Sequence, residues 1–138
     1  MYSIAYVVPY FGKFPKGFQF WLMSCGCNPT IDWLIFTDDH MDYNYPPNVK
    51  VQYWTFEQMK RRVQKIFNFP ISLERPYKLC DYKPAYGEIF SDELKGYDFW
   101  GDCDVDSSGA LRSLRHLRPR QHRLPGDHRQ PRRGGGPL

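Results

Sequence analysis

The chain has 138 residues, with 19 Lys and Arg against 15 Asp and Glu, for a net charge of +4. Those totals hide two unlike segments: residues 107–138 hold eight Arg, no Lys and one Asp, net +7, which leaves −3 on residues 1–106. Nowhere does the chain approach the roughly 18 consecutive apolar residues of a membrane span, so a transmembrane helix is excluded.

Ile4-Ala5-Tyr6-Val7-Val8 is short, apolar and partly β-branched, which predicts a buried strand ended by Pro9-Tyr10-Phe11-Gly12. Phe18, Trp21, Leu22 and Cys25 recur at helical spacing and predict a helix over about 18–25, stopped by Gly26 and Pro29. Thr30–Thr37 reads as a second strand, closed by Asp38-Asp39, and the alternating Val49–Tyr53 as a third. Thr55-Phe56-Glu57-Gln58 has the form of a capping box. The helix behind it is expected to bury Met59, Val63, Ile66 and Phe67 and to end before Pro70. Pro84 either kinks a helix or begins one, with Ala85, Tyr86, Ile89 and Phe90 as the inner face and Gly96 as its end. An aromatic strand over Tyr97–Val105 completes the order. Strands alternating with helices predict an α/β domain over residues 1–106 with a mostly parallel sheet, whose strand C-termini gather loops into a ligand crevice.

The last strand carries Asp102, Asp104 and Asp106 at every second position. Side chains two apart on a strand share a face, and three uncompensated carboxylates there repel each other and resist burial. A divalent cation is the simplest partner, and hard oxygen ligands suit Mg²⁺ or Mn²⁺. The alternative is a solvated pair of loop carboxylates.

After Asp106 the composition changes. Every Trp, Tyr and Phe lies before Ser107, and the remainder has no Val or Ile with which to build a core. We therefore expect residues 107–138 to form a disordered Arg/Pro/Gly-rich tail. One origin is a basic arm for nucleic acid or an anionic surface. The other, which the absence of Lys and of interleaved aromatics favours, is a frameshift or gene-model artefact that truncates the domain. Reading the other two frames after codon 106 decides between them. The cysteines, at 25, 27, 80 and 103, lack zinc-knuckle spacing, and Met1 leads into a strand without a basic leader. Together these point to a reduced, cytoplasmic chain.

The succession of Pro9-Tyr10-Phe11-Gly12, Phe36-Thr37-Asp38, Asp81-Tyr82-Lys83-Pro84-Ala85-Tyr86-Gly87 and Cys103-Asp104-Val105-Asp106 resembles the nucleotide-sugar domain of GT-A glycosyltransferases. It looks closest to a poorly characterised, largely microbial family of predicted glycosyltransferases, and covers about residues 3–106. The resemblance implies the N-terminal half of a GT-A sheet and metal-dependent transfer of a sugar from a nucleoside diphosphate donor to a glycan or other acceptor that the sequence does not name. Asp104 and Asp106 match the Asp-x-Asp (DxD) metal motif, with Asp102-x-Asp104 as the other register. Thr37 and Asp38 match the position that contacts the nucleoside, Val8, Pro9 and Tyr10 the loop that packs on the base, and Lys83 a basic residue near the donor phosphates or sugar. The plainer alternatives are a turn cap for Asp38, a surface lysine for Lys83 and core packing for Tyr10 and Phe11. Ser107-Ser108-Gly109-Ala110 stands where the family continues into an apolar second half, so no catalytic residue can be named and the chain as written is expected to be inactive and marginally folded. The rival is a nucleic-acid or anionic-surface binder acting through the Arg-rich tail. Tail-driven binding weakens steeply with salt, whereas donor binding needs a divalent cation.

Overall fold

The computed structural model describes residues 2–105 together with Arg118 and Pro119. Along the chain run β1 (Ile4–Tyr10), α1 (Phe18–Gly26), β2 (Ile31–Thr37), β3 (Val49–Tyr53), α2 (Phe56–Gln64), a 3₁₀-helix (Pro76–Ala85), α3 (Tyr86–Ile89), β4 (Phe99–Asp102) and β5 (Arg118–Pro119). The five strands lie in the order β3-β2-β1-β4-β5. β1 pairs in parallel with both β2 and β4, and β2 in parallel with β3, while β5 is antiparallel to β4. The expected α/β architecture with a mostly parallel sheet is therefore present.

Period-two alternation along β1 divides the core into two layers. Ala5 and Val7 pack with Leu34, Phe36, Met59, Val63, Tyr86, Phe90 and Trp100 on the face covered by α2 and α3. Tyr6 and Val8 pack with Trp33, Ile35 and the α1 residues Phe18, Trp21, Leu22 and Cys25 on the other face. A central strand covered on both sides must be apolar at every position, which is why Ala5 to Val8 is unbroken.

α2 begins with the predicted capping box: the Gln58 N–H donates to Thr55 Oγ1 at 3.1 Å and the Thr55 N–H to Gln58 Oε1 at 2.8 Å. It buries Met59 and Val63 but ends at Gln64, so Ile66 and Phe67 lie beyond the helix and pack only in part. Pro84 does not begin a helix: it lies inside one that starts at Pro76, and the α-helix after it, Tyr86–Ile89, is shorter than the expected run to Gly96. Pro76 opens a ten-residue 3₁₀-helix that tolerates Pro84 inside it, and α3 follows at once. A 3₁₀ run of this length is uncommon.

β4 is shorter than expected. It pairs with β1 only from Ile4↔Phe99 to Val7↔Asp102, whereas β1 continues beside β2 to Tyr10↔Thr37. Past Val7 and Asp102 the two central strands part. At the opposite end Ser3 and Asp98 hold them together: the Ser3 N–H donates to Asp98 Oδ2 at 2.9 Å, and the Asp98 N–H to Ser3 Oγ at 3.0 Å.

Candidate functional site

The parting of β1 and β4 opens a cavity of about 540 Å³. It is lined by Val7 to Phe11 at the end of β1, by Asp102 to Val105 at and beyond the end of β4, and by residues of the segment between Arg75 and Tyr86. The strand order reverses direction between β1 and β4, because β2 and β3 step away on one side and β4 returns on the other. Crevices outside the carboxyl ends of strands at such a reversal are where open α/β sheets take ligands. The volume lies within the usual range of small-molecule sites, about 300–1,000 Å³.

Register explains which side chains face in. Asp102 stands opposite Val7 and two residues after Trp100, so its side chain points to the α2/α3 face. The 3₁₀-helix on that face brings Lys83 over it. Lys83 Nζ lies 3.4 Å from Asp102 Oδ2 and 3.1 Å from Asp104 Oδ1. The Asp102 side chain is 15% exposed and that of Asp104 66%, so one carboxylate is set into the floor and the other opens to solvent. Burial works to lower the Lys83 pKa. The hydrogen bond that Lys83 donates to Asp104 and the charges of Asp104, Asp102 and Cys80 outweigh it, so the net shift is upward and Lys83 is a cation at neutral pH. The trio carries a net charge of −1, and the Arg75 guanidinium stands exposed on the rim.

The expected site residues divide into two groups. Pro9, Tyr10, Lys83, Asp102 and Asp104 all line the one cavity. Tyr10 is half-buried there, its ring stacked on Phe14 at 5.0 Å between centroids. Thr37 and Asp38 do not line it. Thr37 is fully buried and its Oγ1 accepts the Asp39 N–H at 3.1 Å. Asp38 Oδ1 accepts the Gly12 N–H at 2.8 Å and so ties the loop after β2 to the loop after β1. Asp106 lies outside the described residues.

The structure adds Arg75, Tyr77 and Tyr86 to the cavity wall. The Tyr86 hydroxyl, buried, donates to the Leu79 carbonyl at 3.0 Å, and burial pushes its pKa up strongly. The one trace of this wall in the sequence is Pro76 opening a helix before Lys83; nothing in the spacing shows that Arg75 and Tyr77 face β1.

Among the described residues, no group of three or more His, Cys, Asp and Glu converges on a point. Asp102 and Asp104 present two carboxylates to one ammonium, an all-oxygen donor set of the kind Mg²⁺ and Mn²⁺ accept, and such ions keep waters or ligand oxygens at their other positions. The residues present thus fit a hard divalent cation shared with an anionic ligand.

Fold and site together define an α/β protein with a charged crevice at the strand-order reversal. The chain belongs to a family of unknown function (DUF6625), whose match spans residues 6–114 and so extends past Asp106. No curated protein and no solved structure matches it. No helix among the described residues is long and apolar enough to cross a membrane.

Proposed function

We propose that the crevice captures the nucleoside diphosphate sugar of a metal-dependent, GT-A-like sugar transfer. The observation that carries this reading is the convergence of Asp102, Asp104 and Lys83 on the floor of an open cavity at the strand-order reversal. Asp104 holds Mn²⁺ or Mg²⁺, with Asp102 as its neighbour in the cavity and Asp106 as the other half of the motif. When bound, the ion neutralises the charge that develops on the leaving diphosphate. Without it, a diphosphate meets a trio of charge −1; with it the same site is +1, and Arg75 on the rim adds to that attraction. Tyr10 offers a ring at the cavity edge on which a base can pack.

Among the described residues, Asp102 and Asp104 are the only acids lining the cavity, and no His does. Both are committed to the cation in this reading, which leaves no carboxylate or His among the described lining residues to activate an acceptor. The proposal is therefore donor capture.

Titration of the full 138-residue chain with Mn²⁺ and UDP is the test. Wild type should bind UDP in a Mn²⁺-dependent manner, and Asp104→Ala should weaken both ligands by about tenfold or more, as loss of a charged ligand contact commonly does. Unchanged binding by Asp104→Ala would remove the assignment.

A further inference from the structure

We infer that Lys83 is a stand-in cation that holds the metal position closed until a diphosphate arrives. The inference rests on the donor-capture reading and adds to it an order of events and a source of coupling between metal and nucleotide.

The geometry is that of competition. One ammonium lies 3.1 Å from Asp104 Oδ1 and 3.4 Å from Asp102 Oδ2, so it already occupies the space between the two carboxylates. A Mg²⁺-sized ion held by either of these oxygens would lie within a few ångströms of Nζ. A dication and an ammonium at that separation repel, and the repulsion is screened least beside Asp102, whose side chain is 15% exposed. The two cations therefore exclude each other from these oxygens.

Lys83 has somewhere to go. Its ammonium is a compact point charge on a flexible four-carbon stem, unlike the rigid fork of an arginine. The cavity it lines is also lined by the exposed Arg75, so a diphosphate bound there would offer the displaced ammonium a new anionic partner. In the unliganded chain the metal must break two ion pairs and strand a half-buried lysine. With a diphosphate present, the lysine exchanges one set of oxygens for another. Each ligand then raises the affinity of the other by the same factor, as linkage requires.

The test is Mn²⁺ binding to the full-length chain, followed by electron paramagnetic resonance with and without UDP, in wild type, Lys83→Met and Lys83→Arg. Wild type should bind Mn²⁺ weakly alone and much more tightly with UDP. Lys83→Met should bind Mn²⁺ alone about tenfold more tightly or better, since a competing unit charge is gone, and the enhancement by UDP should shrink. Lys83→Arg retains the charge and should keep the weak resting affinity. Lys83→Gln, which preserves size and a hydrogen-bond donor, serves if the Met variant does not fold. If Lys83→Met or Lys83→Gln binds Mn²⁺ no more tightly than wild type while wild type still shows UDP-enhanced binding, the stand-in role is wrong and donor capture stands. If neither wild type nor variants bind Mn²⁺ with or without UDP, both fall together.

Discussion

Gly12 adopts φ +99°, a left-handed conformation that side chains resist, directly after β1. Its N–H is fixed by Asp38, and the Phe14 N–H by Asp39 at 3.1 Å, so two adjacent acids from the β2 loop shape the β1 loop that edges the cavity. Asp38→Ala should therefore lower stability in urea by about 1 kcal/mol, the worth of one exposed charge-assisted hydrogen bond. A loss of UDP affinity with no loss of stability would instead make Asp38 a ligand contact. Tyr6 is the opposite case. Its hydroxyl is buried without a hydrogen-bond partner among the described residues, while its ring stacks on Trp33 at 5.7 Å. Tyr6→Phe removes an unpaired polar atom and keeps the ring, so stability should be unchanged or higher by roughly 1 kcal/mol.

At the scale of elements, the crevice depends on how closely α3 can approach β4. Gly87 faces Trp100 so tightly that a Cβ there would stand 2.8 Å from Cζ2 of the indole. Since Trp100 precedes Asp102 by two residues on the same face, moving it also moves the Asp102 carboxylate. Gly87→Ala should cost roughly 1–3 kcal/mol through overpacking and change the near-ultraviolet circular dichroism of the tryptophans. An alanine accepted without either effect would show that the helix has room to retreat. The capping box of α2 is a milder device. Thr55→Ala should cost about 1 kcal/mol in chemical denaturation and leave the crevice untouched, because α2 contributes no side chain to it. On the far side of β4, β5 pairs antiparallel, and the Arg118 guanidinium lies 5.3 Å from the centroid of the Trp100 ring. Two residues assigned from composition to the tail are thus part of the sheet edge.

At the scale of the whole molecule, Cys25, Tyr6 and Tyr45, which lie on different segments, have moved in one direction. Burial, reinforced by the charge of Cys103, pushes the Cys25 thiol well above its ordinary 9.0. Burial is also the main reason that the Tyr6 and Tyr45 hydroxyls rise from 10.0 to about 12. In each case the fold keeps the proton and the unfolded chain gives it up first. Their contribution to stability is therefore complete below about pH 9 and is lost as the pH climbs toward 12. Urea midpoints should be level from neutral pH to about pH 9 and fall above it, and Tyr6→Phe should flatten part of that fall. A decline already present between pH 7 and 9 would point to a different titrating group.

The sequence by itself determined β1, α1, β2, β3 and the start of α2, because these follow from local rules. The unbroken apolar run at Ala5–Val8 can only be a strand covered on both faces. Thr55 and Gln58 announce a helix start, and the Asp102–Asp104 spacing puts both carboxylates on one face. It also singled out Lys83, Pro9 and Tyr10, which the cavity brings together. What only the tertiary structure decided are relations between distant segments. Strand pairing stops at Val7 and Asp102 because β1 and β4 part there, and that opening is invisible to periodicity. Lys83 closes on the two aspartates because a 3₁₀-helix, rather than a longer α-helix, carries it across the face of the sheet. Thr37 and Asp38 stand at a strand end in the sequence just as Asp102 and Asp104 do. The fold buries the first and spends the second on Gly12, because a loop must satisfy its own backbone before it can serve a ligand.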